Sequence, residues 1–135
     1  MRKIAAALAM VVALIIPVAS VTATTRASTF TAPIVSGTLT DCGNTVTLTI
    51  NRSGGSSADA QKVYLIVEWY AFSTYSNTDV LVGSSAGPVH WNDSKRTVAV
   101  QTSSVAANAV TCPTKVHAYT YNRLTNDILG TWDWP

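Results

Sequence analysis

Beyond residue 23 the chain alternates between polar and apolar positions and shows no sustained helical period. Short alternating runs are separated by Gly, Pro, Asn and Ser, the punctuation expected between strands. The pattern predicts seven strands, at 30–39 (broken at Pro33), 45–51, 62–73, 79–83, 96–102, 115–123 and 127–134. They are rich in Val, Thr, Tyr and Trp, which suit a pleated, half-buried surface. A single helical turn is expected over 103–110. The segment 51–61, carrying Ser53-Gly54-Gly55-Ser56-Ser57, reads as a flexible loop. The segment 83–95, carrying Gly87-Pro88, reads as a second long connection, and 122–127 as a hairpin turn.

Successive side chains of a strand point to opposite faces. In 45–51 this sends Val46, Leu48 and Ile50 inward and leaves Thr45, Thr47 and Thr49 in water. In 96–102 it places Val98 and Val100 inside, with Thr97, Ala99 and Gln101 outside. The 62–73 run is apolar on both sides: Val63, Leu65, Val67, Trp69 and Ala71 alternate with Tyr64, Ile66, Glu68, Tyr70 and Phe72. The 115–123 run alternates Val116, Ala118 and Thr120 with His117, Tyr119 and Tyr121. In 127–134, Ile128, Trp132 and Trp134 share one side, opposite Leu129, Thr131 and Asp133. With the aliphatic and Trp series in the core, Tyr64, Ile66, Tyr70, Phe72, Tyr119, Tyr121 and Leu129 gather outside.

Seven short strands with turn-rich links predict an all-β chain, a single antiparallel sandwich that resembles immunoglobulin-like or fibronectin-III-like architecture. A jelly roll or another Greek-key barrel is the alternative. In the sandwich the third, sixth and seventh strands share one sheet, which brings the tyrosines together. The antibody-type marks are missing, since neither the second nor the sixth strand holds a cysteine. Val110 stands two residues before Cys112, where a corner tyrosine would sit. Such a resemblance is architectural and transfers no function.

The N-terminus changes the picture of compartment and charge. Met1-Arg2-Lys3 precedes an apolar run from Ile4 to Ile16, then Pro17 and the small-residue site Val21-Thr22-Ala23. That order of charge, apolar stretch and small residues is the mark of a secretory signal peptide. The run is shorter than the roughly 20 residues a membrane span needs. The expected organisation is a leader at 1–23, a flexible N-terminus at 24–28 and a sandwich domain at 29–135. Of 9 basic and 7 acidic residues, Arg2 and Lys3 leave with the leader, so the remainder is balanced. No cluster of Lys and Arg remains to release counterions from nucleic acid. After cleavage no second stretch of spanning length is left for a membrane.

Cys42 and Cys112 are the only cysteines, and both follow the leader. An exported chain with one available pair is expected to close one disulfide. The two lie in the connections before the second and sixth strands, which share one end of such a sandwich. In the chain-entropy account a loop of this length adds on the order of 4 kcal/mol. A metal site is not expected, because no histidine accompanies the pair at ligand spacing.

Catalytic signals are weak. Gly83-Ser84-Ser85-Ala86-Gly87 matches G-x-S-x-G with Ser85 as nucleophile, but Pro88 follows where the helix of that motif should continue. His90 with Asp93 offers a general base without a nucleophile. Glu68 is a lone outward carboxylate, and no cofactor motif is present. Asn51-Arg52-Ser53 and Asn92-Asp93-Ser94 fit the glycosylation pattern. Trp91 lies in a loop, where it either stacks on a sugar or folds back over the core. The expected function is a secreted, non-enzymatic binding or self-associating module. Its face is Tyr64, Tyr70, Phe72, Tyr119 and Tyr121, with Trp91 of the loop as a further binding residue, and its partner is an extracellular protein, a surface glycan or a second copy. A structural subunit of an extracellular layer or fibre and a carbohydrate-binding module are the alternatives. Tyrosines also decorate sheets as ordinary cross-strand pairs, the plain reading of the same residues.

Overall fold

The computed structural model describes residues 30–106 and 112–135. The leader, the segment 24–28 and Val110 lie outside these residues, as does the second half of the turn foreseen at 103–110. Among the described residues seven strands form: β1 (Ile34–Thr40), β2 (Thr45–Asn51), β3 (Val63–Ser73), β4 (Thr78–Pro88), β5 (Val98–Ser104), β6 (Lys115–Asn122) and β7 (Ile128–Trp134). They build two antiparallel sheets, ordered β1-β2-β5 and β4-β3-β6-β7. The chain is therefore all-β, a sandwich of two sheets. As expected, β3, β6 and β7 share a sheet.

The core is the inner alternation of both sheets. Val46, Leu48 and Ile50 of β2 meet Val63, Leu65, Val67 and Trp69 of β3 with Val116 and Ala118 of β6, all buried. Fully burying one such aliphatic side chain contributes about 1.5–3 kcal/mol. One end is clamped by the disulfide Cys42–Cys112, whose Cα atoms stand 5.4 Å apart. Beside it, the buried Trp69 donates its indole N–H to the Gly43 carbonyl at 3.1 Å. The largest core side chain is thus tied to the clamped end.

One long side of the sandwich is stitched shut. Ala32 N–H donates to the Leu129 carbonyl at 3.2 Å, joining the approach to β1 with β7. The buried Thr120 hydroxyl donates to the Ala32 carbonyl at 2.5 Å. Gly130 allows this approach: a Cβ there would stand 2.5 Å from Pro33 Cα and 2.6 Å from the Ala32 oxygen.

Five expectations are corrected, the last in part. First, β4 runs from Thr78 to Pro88, so the supposed connection 83–88 is strand. Its small residues are weak strand formers, but pairing with β3 from Tyr64↔Pro88 to Ser73↔Thr78 overrides that preference. Second, β5 sits in the opposite phase. Ile50 pairs with Ala99 and Leu48 with Gln101, and directly paired residues share a face. Ala99 is therefore buried, while Val98 and Val100 are 38% and 49% exposed. Third, the irregularity between Thr120 and Tyr121 in the β6–β7 pairing exchanges two neighbours. Ile128 turns outward at 57% exposure, and Leu129 packs on the core instead of joining the outer face. Fourth, the segment 51–61 is organised. It holds a one-turn helix, α1 (Ser57–Ala60), with a reciprocal Ser56/Asp59 capping box. Arg52 clamps it by donating to the carbonyls of Gly54 and Arg96 at 2.6 and 2.8 Å. Fifth, at 103–106 Ser103 and Ser104 end β5, and no helical turn forms.

Candidate functional site: the outer face of the four-stranded sheet

The register of the four-stranded sheet arranges its outer side chains in rows. One row runs Pro88–Tyr64–Tyr121–Ile128 and the next Ala86–Ile66–Tyr119–Thr131. A third row, Ser84–Glu68–His117–Asp133, is wholly polar, and a fourth holds Leu81, Tyr70 and Lys115. Phe72 continues the aromatic column beyond Tyr70 beside Asp79. The expected tyrosines thus share one face with Ile66 and Phe72, as the alternation required. Ile128 takes the place foreseen for Leu129.

The face has relief. Bulky residues of β3 and β6 form a central ridge, and β4 sets the small Ser84 and Ala86 alongside its middle, between Pro88 and Leu81. The tyrosines are half-buried against one another. Tyr64 and Tyr121 have ring centroids 6.0 Å apart at 60°, and Tyr119 and Tyr121 are 6.3 Å apart at 51°. These tilted contacts are favourable for aromatic pairs. Ile66, Tyr119, Tyr121, Asn126 and Ile128 line a hollow of about 360 Å³ on this face.

The polar row carries the charge. Tyr70 donates its hydroxyl to Glu68 at 2.8 Å. That hydrogen bond to the carboxylate, with burial and the Glu68 charge, pushes the Tyr70 phenol above its ordinary value. Tyr119 is also pushed up, chiefly by burial and then by the Glu68 charge. His117 and Asp133 are 2.6 Å apart through Nδ1 and Oδ1. Cations flank the ridge: Lys115 lies 5.9 Å from the Tyr70 ring, and Arg123 lies 5.4 Å from the Tyr64 ring. Arg123 also donates to the Tyr64 hydroxyl at 3.0 Å. The face can therefore offer apolar contact, phenol hydroxyls and charges of both signs.

Trp91 is apart from this face. Its indole N–H donates to the Ala60 carbonyl at 3.0 Å, and its ring packs on the core. It folds back over the core end and, with His90, Asp93 and Arg96, lines an open cleft of about 570 Å³. Asp93 does not serve His90. Its carboxylate accepts from Thr97 N–H at 2.8 Å, Thr97 hydroxyl at 2.6 Å and Val98 N–H at 3.0 Å. These bonds, the Thr97 side chain first, hold its carboxyl below the ordinary value. The G-x-S-x-G run lies in extended β4, without the strand-to-helix turn that exposes a nucleophile. Ser85 points to the inner side, paired with Val67.

The chemistry that alternation alone did not reveal is the polar row. Its signal was present in Glu68, His117 and Asp133, but only the strand register aligns them. No protein-family model matches the chain, and no curated protein matches it.

Proposed function

We propose that this chain is an exported, non-enzymatic binding module that engages an extracellular protein through the outer face of its β4-β3-β6-β7 sheet. The observation that carries the reading is the ridge of Tyr64, Ile66, Tyr70, Tyr119 and Tyr121 beside the Ile128 hollow. Tyrosine suits such a role because it offers large contact area and a hydroxyl with little rotamer freedom to lose. Export is supported by the leader pattern at 1–23 and by the closed disulfide. Among the described residues no helix is long and apolar enough to cross a membrane.

The finer fold reading is immunoglobulin-like or fibronectin-III-like. Trp69 on the third strand, tied beside a disulfide that joins the approaches to the second and sixth strands, supports it. The fourth strand pairs with the third, not with the fifth as in the constant-type immunoglobulin sandwich.

A protein partner is favoured over a flat polysaccharide by the tilt of the rings. Inter-ring angles of 51° and 60° leave a corrugated surface into which side chains interdigitate, not a coplanar platform for successive sugars. A structural subunit of an extracellular layer is the second reading, favoured by the low charge of the chain and by the two apolar faces of β3. The test is binding of the labelled domain, freed of its leader, to the surface of the cells that export it. Tyr70→Ser with Tyr119→Ser is expected to lower affinity at least tenfold, the loss of about 1.4 kcal/mol or more that buried interface tyrosines carry. Protease treatment of the cells abolishes binding, and glycosidase treatment leaves it. Equal binding by the double variant contradicts the proposal.

A further inference from the structure

The open edge of β4 has a definite pattern of outward backbone groups. Val89 N–H donates to the Val63 carbonyl at 3.0 Å, which sets the phase of the β3–β4 ladder. The register continues through Leu65↔Gly87, Val67↔Ser85 and Trp69↔Gly83. Alternate pairs of an antiparallel ladder exchange both backbone bonds, and the residues between them face away. Ala86 and Ser84 therefore aim N–H and C=O at the open side. Past the irregularity at Val82, Ala71↔Val80 resumes the inward role, so Leu81 and Asp79 face out. The outward residues are Asp79, Leu81, Ser84 and Ala86, with the wider gap between Leu81 and Ser84. Pro88 ends the series, because its carbonyl already accepts from Gln101 Nε2 at 3.3 Å.

The other edges are engaged in part. At the start of β5, Val98 C=O accepts from Asn92 N–H at 2.9 Å and Val98 N–H donates to Asp93 at 3.0 Å. The β1 and β7 side is joined through Ala32 and Leu129. Among the described residues, β4 from Asp79 to Ala86 has no such cover, and its Val80, Leu81 and Val82 are exposed. Long apolar edges are templates for another strand.

We infer that β4 pairs antiparallel with β4 of a second copy about a two-fold axis between Val82 and Gly83. The uneven spacing commits the site to that occupant. An evenly spaced strand meets the outward groups on one side of Val82 and misses them on the other. Another β4, run antiparallel, meets all of them: Asp79 opposite Ala86 and Leu81 opposite Ser84, each pair closing both bonds. Charge agrees, since Asp79 is the only charged residue from Thr78 to Pro88 and it faces an alanine. The two four-stranded sheets become continuous, and their aromatic ridges flank a floor of Ser84 and Ala86 side chains. Because the interface is the same patch on both copies, it closes as a dimer and does not propagate into a fibre. The pairing does not rest on the aromatic face as a binding site.

The test is sedimentation velocity of the leader-free chain over a concentration series, with amide exchange at Leu81, Ser84 and Ala86. The native chain is expected to double its mass with concentration while those amides slow. Ala86→Asp, placing carboxylates opposite Asp79 twice, weakens association on the order of several-fold, and Ala86→Lys keeps or tightens it. Ala86→Pro stays folded, because its N–H faces away from β3, and stays monomeric. Tyr119→Ser still dimerises. A native chain that is monomeric with fast exchange throughout overturns the inference. So do equal association constants for Ala86→Asp and Ala86→Lys, dimerisation by Ala86→Pro, or a monomeric Tyr119→Ser.

Discussion

The two sheets share a core and differ on the sides they turn to water. The outer face of β1-β2-β5 carries small side chains: Val98 and Val100 at one end, and a ladder of hydroxyls at the other, with Thr45 and Ser104 bonded at 3.1 Å and Thr47 and Thr102 at 3.0 Å. The hydroxyls satisfy one another and leave little relief. The outer face of β4-β3-β6-β7 carries Tyr64, Ile66, Tyr70, Tyr119 and Tyr121 as a ridge crossed by the row of Glu68, His117 and Asp133. Inner residues are interchangeable in kind between the sheets, because both fill one core. The outer residues are not, and on that asymmetry rests the proposal that one sheet binds.

The sharpest way to break the comparison is to ask whether the sheets are one unit. Trp69→Ala empties the core at the clamped end and orphans the Gly43 carbonyl. It is expected to lower unfolding stability by about 4 kcal/mol, with one transition seen by both near- and far-ultraviolet circular dichroism. Separate transitions would mean that the sheets unfold independently. A smaller effect comes from the stitched side. Thr120→Val leaves the buried Ala32 carbonyl without its side-chain donor and is expected to cost about 2 kcal/mol by denaturant titration. A loss below a few tenths would show that the seam is not held there.

The smallest effects separate the sheets by pH. Asp93, capping β5, and Asp59, capping α1, have carboxyls held below the ordinary value by hydrogen bonds from Thr97 and from Ser56. A group depressed in the folded state adds stability above its unfolded value, near 3.9, and loses it as pH falls through the folded value. Tyr70 and Tyr119 are raised, so their contribution is whole below about 10 and is lost as pH rises through the folded values. Asp93→Asn is therefore expected to flatten only the acid limb of a stability–pH profile, and Tyr119→Phe only the alkaline limb. A change on the other limb in either variant would contradict these assignments.

Much of this asymmetry was legible in the sequence. The bounds of β2 and the two apolar faces of β3 follow from alternation, because one long strand with large residues on both sides leaves few ways to face. The Cys42–Cys112 pairing followed from there being no other partner. Residues whose placement depends on a neighbouring strand were not legible. Val98 and Val100 look like core residues until Ile50 pairs with Ala99. Ile128 and Leu129 exchange roles through one irregular residue in the pairing. Ser84 to Pro88 read as loop because glycine and serine carry little strand preference, and only the length of β3 draws them into the sheet. The row of Glu68, His117 and Asp133 is scattered along the chain and meets only through register.

The central claim is that the aromatic face is where a partner sits. Oxidative footprinting of tyrosines, in the free domain and in the domain bound to the exporting cells, tests it most directly. Protection is predicted at Tyr64, Tyr70, Tyr119 and Tyr121 on binding, with no change at Tyr75, which is 101% exposed at the β3–β4 tip. Unchanged labelling of those four tyrosines in the bound state would contradict it.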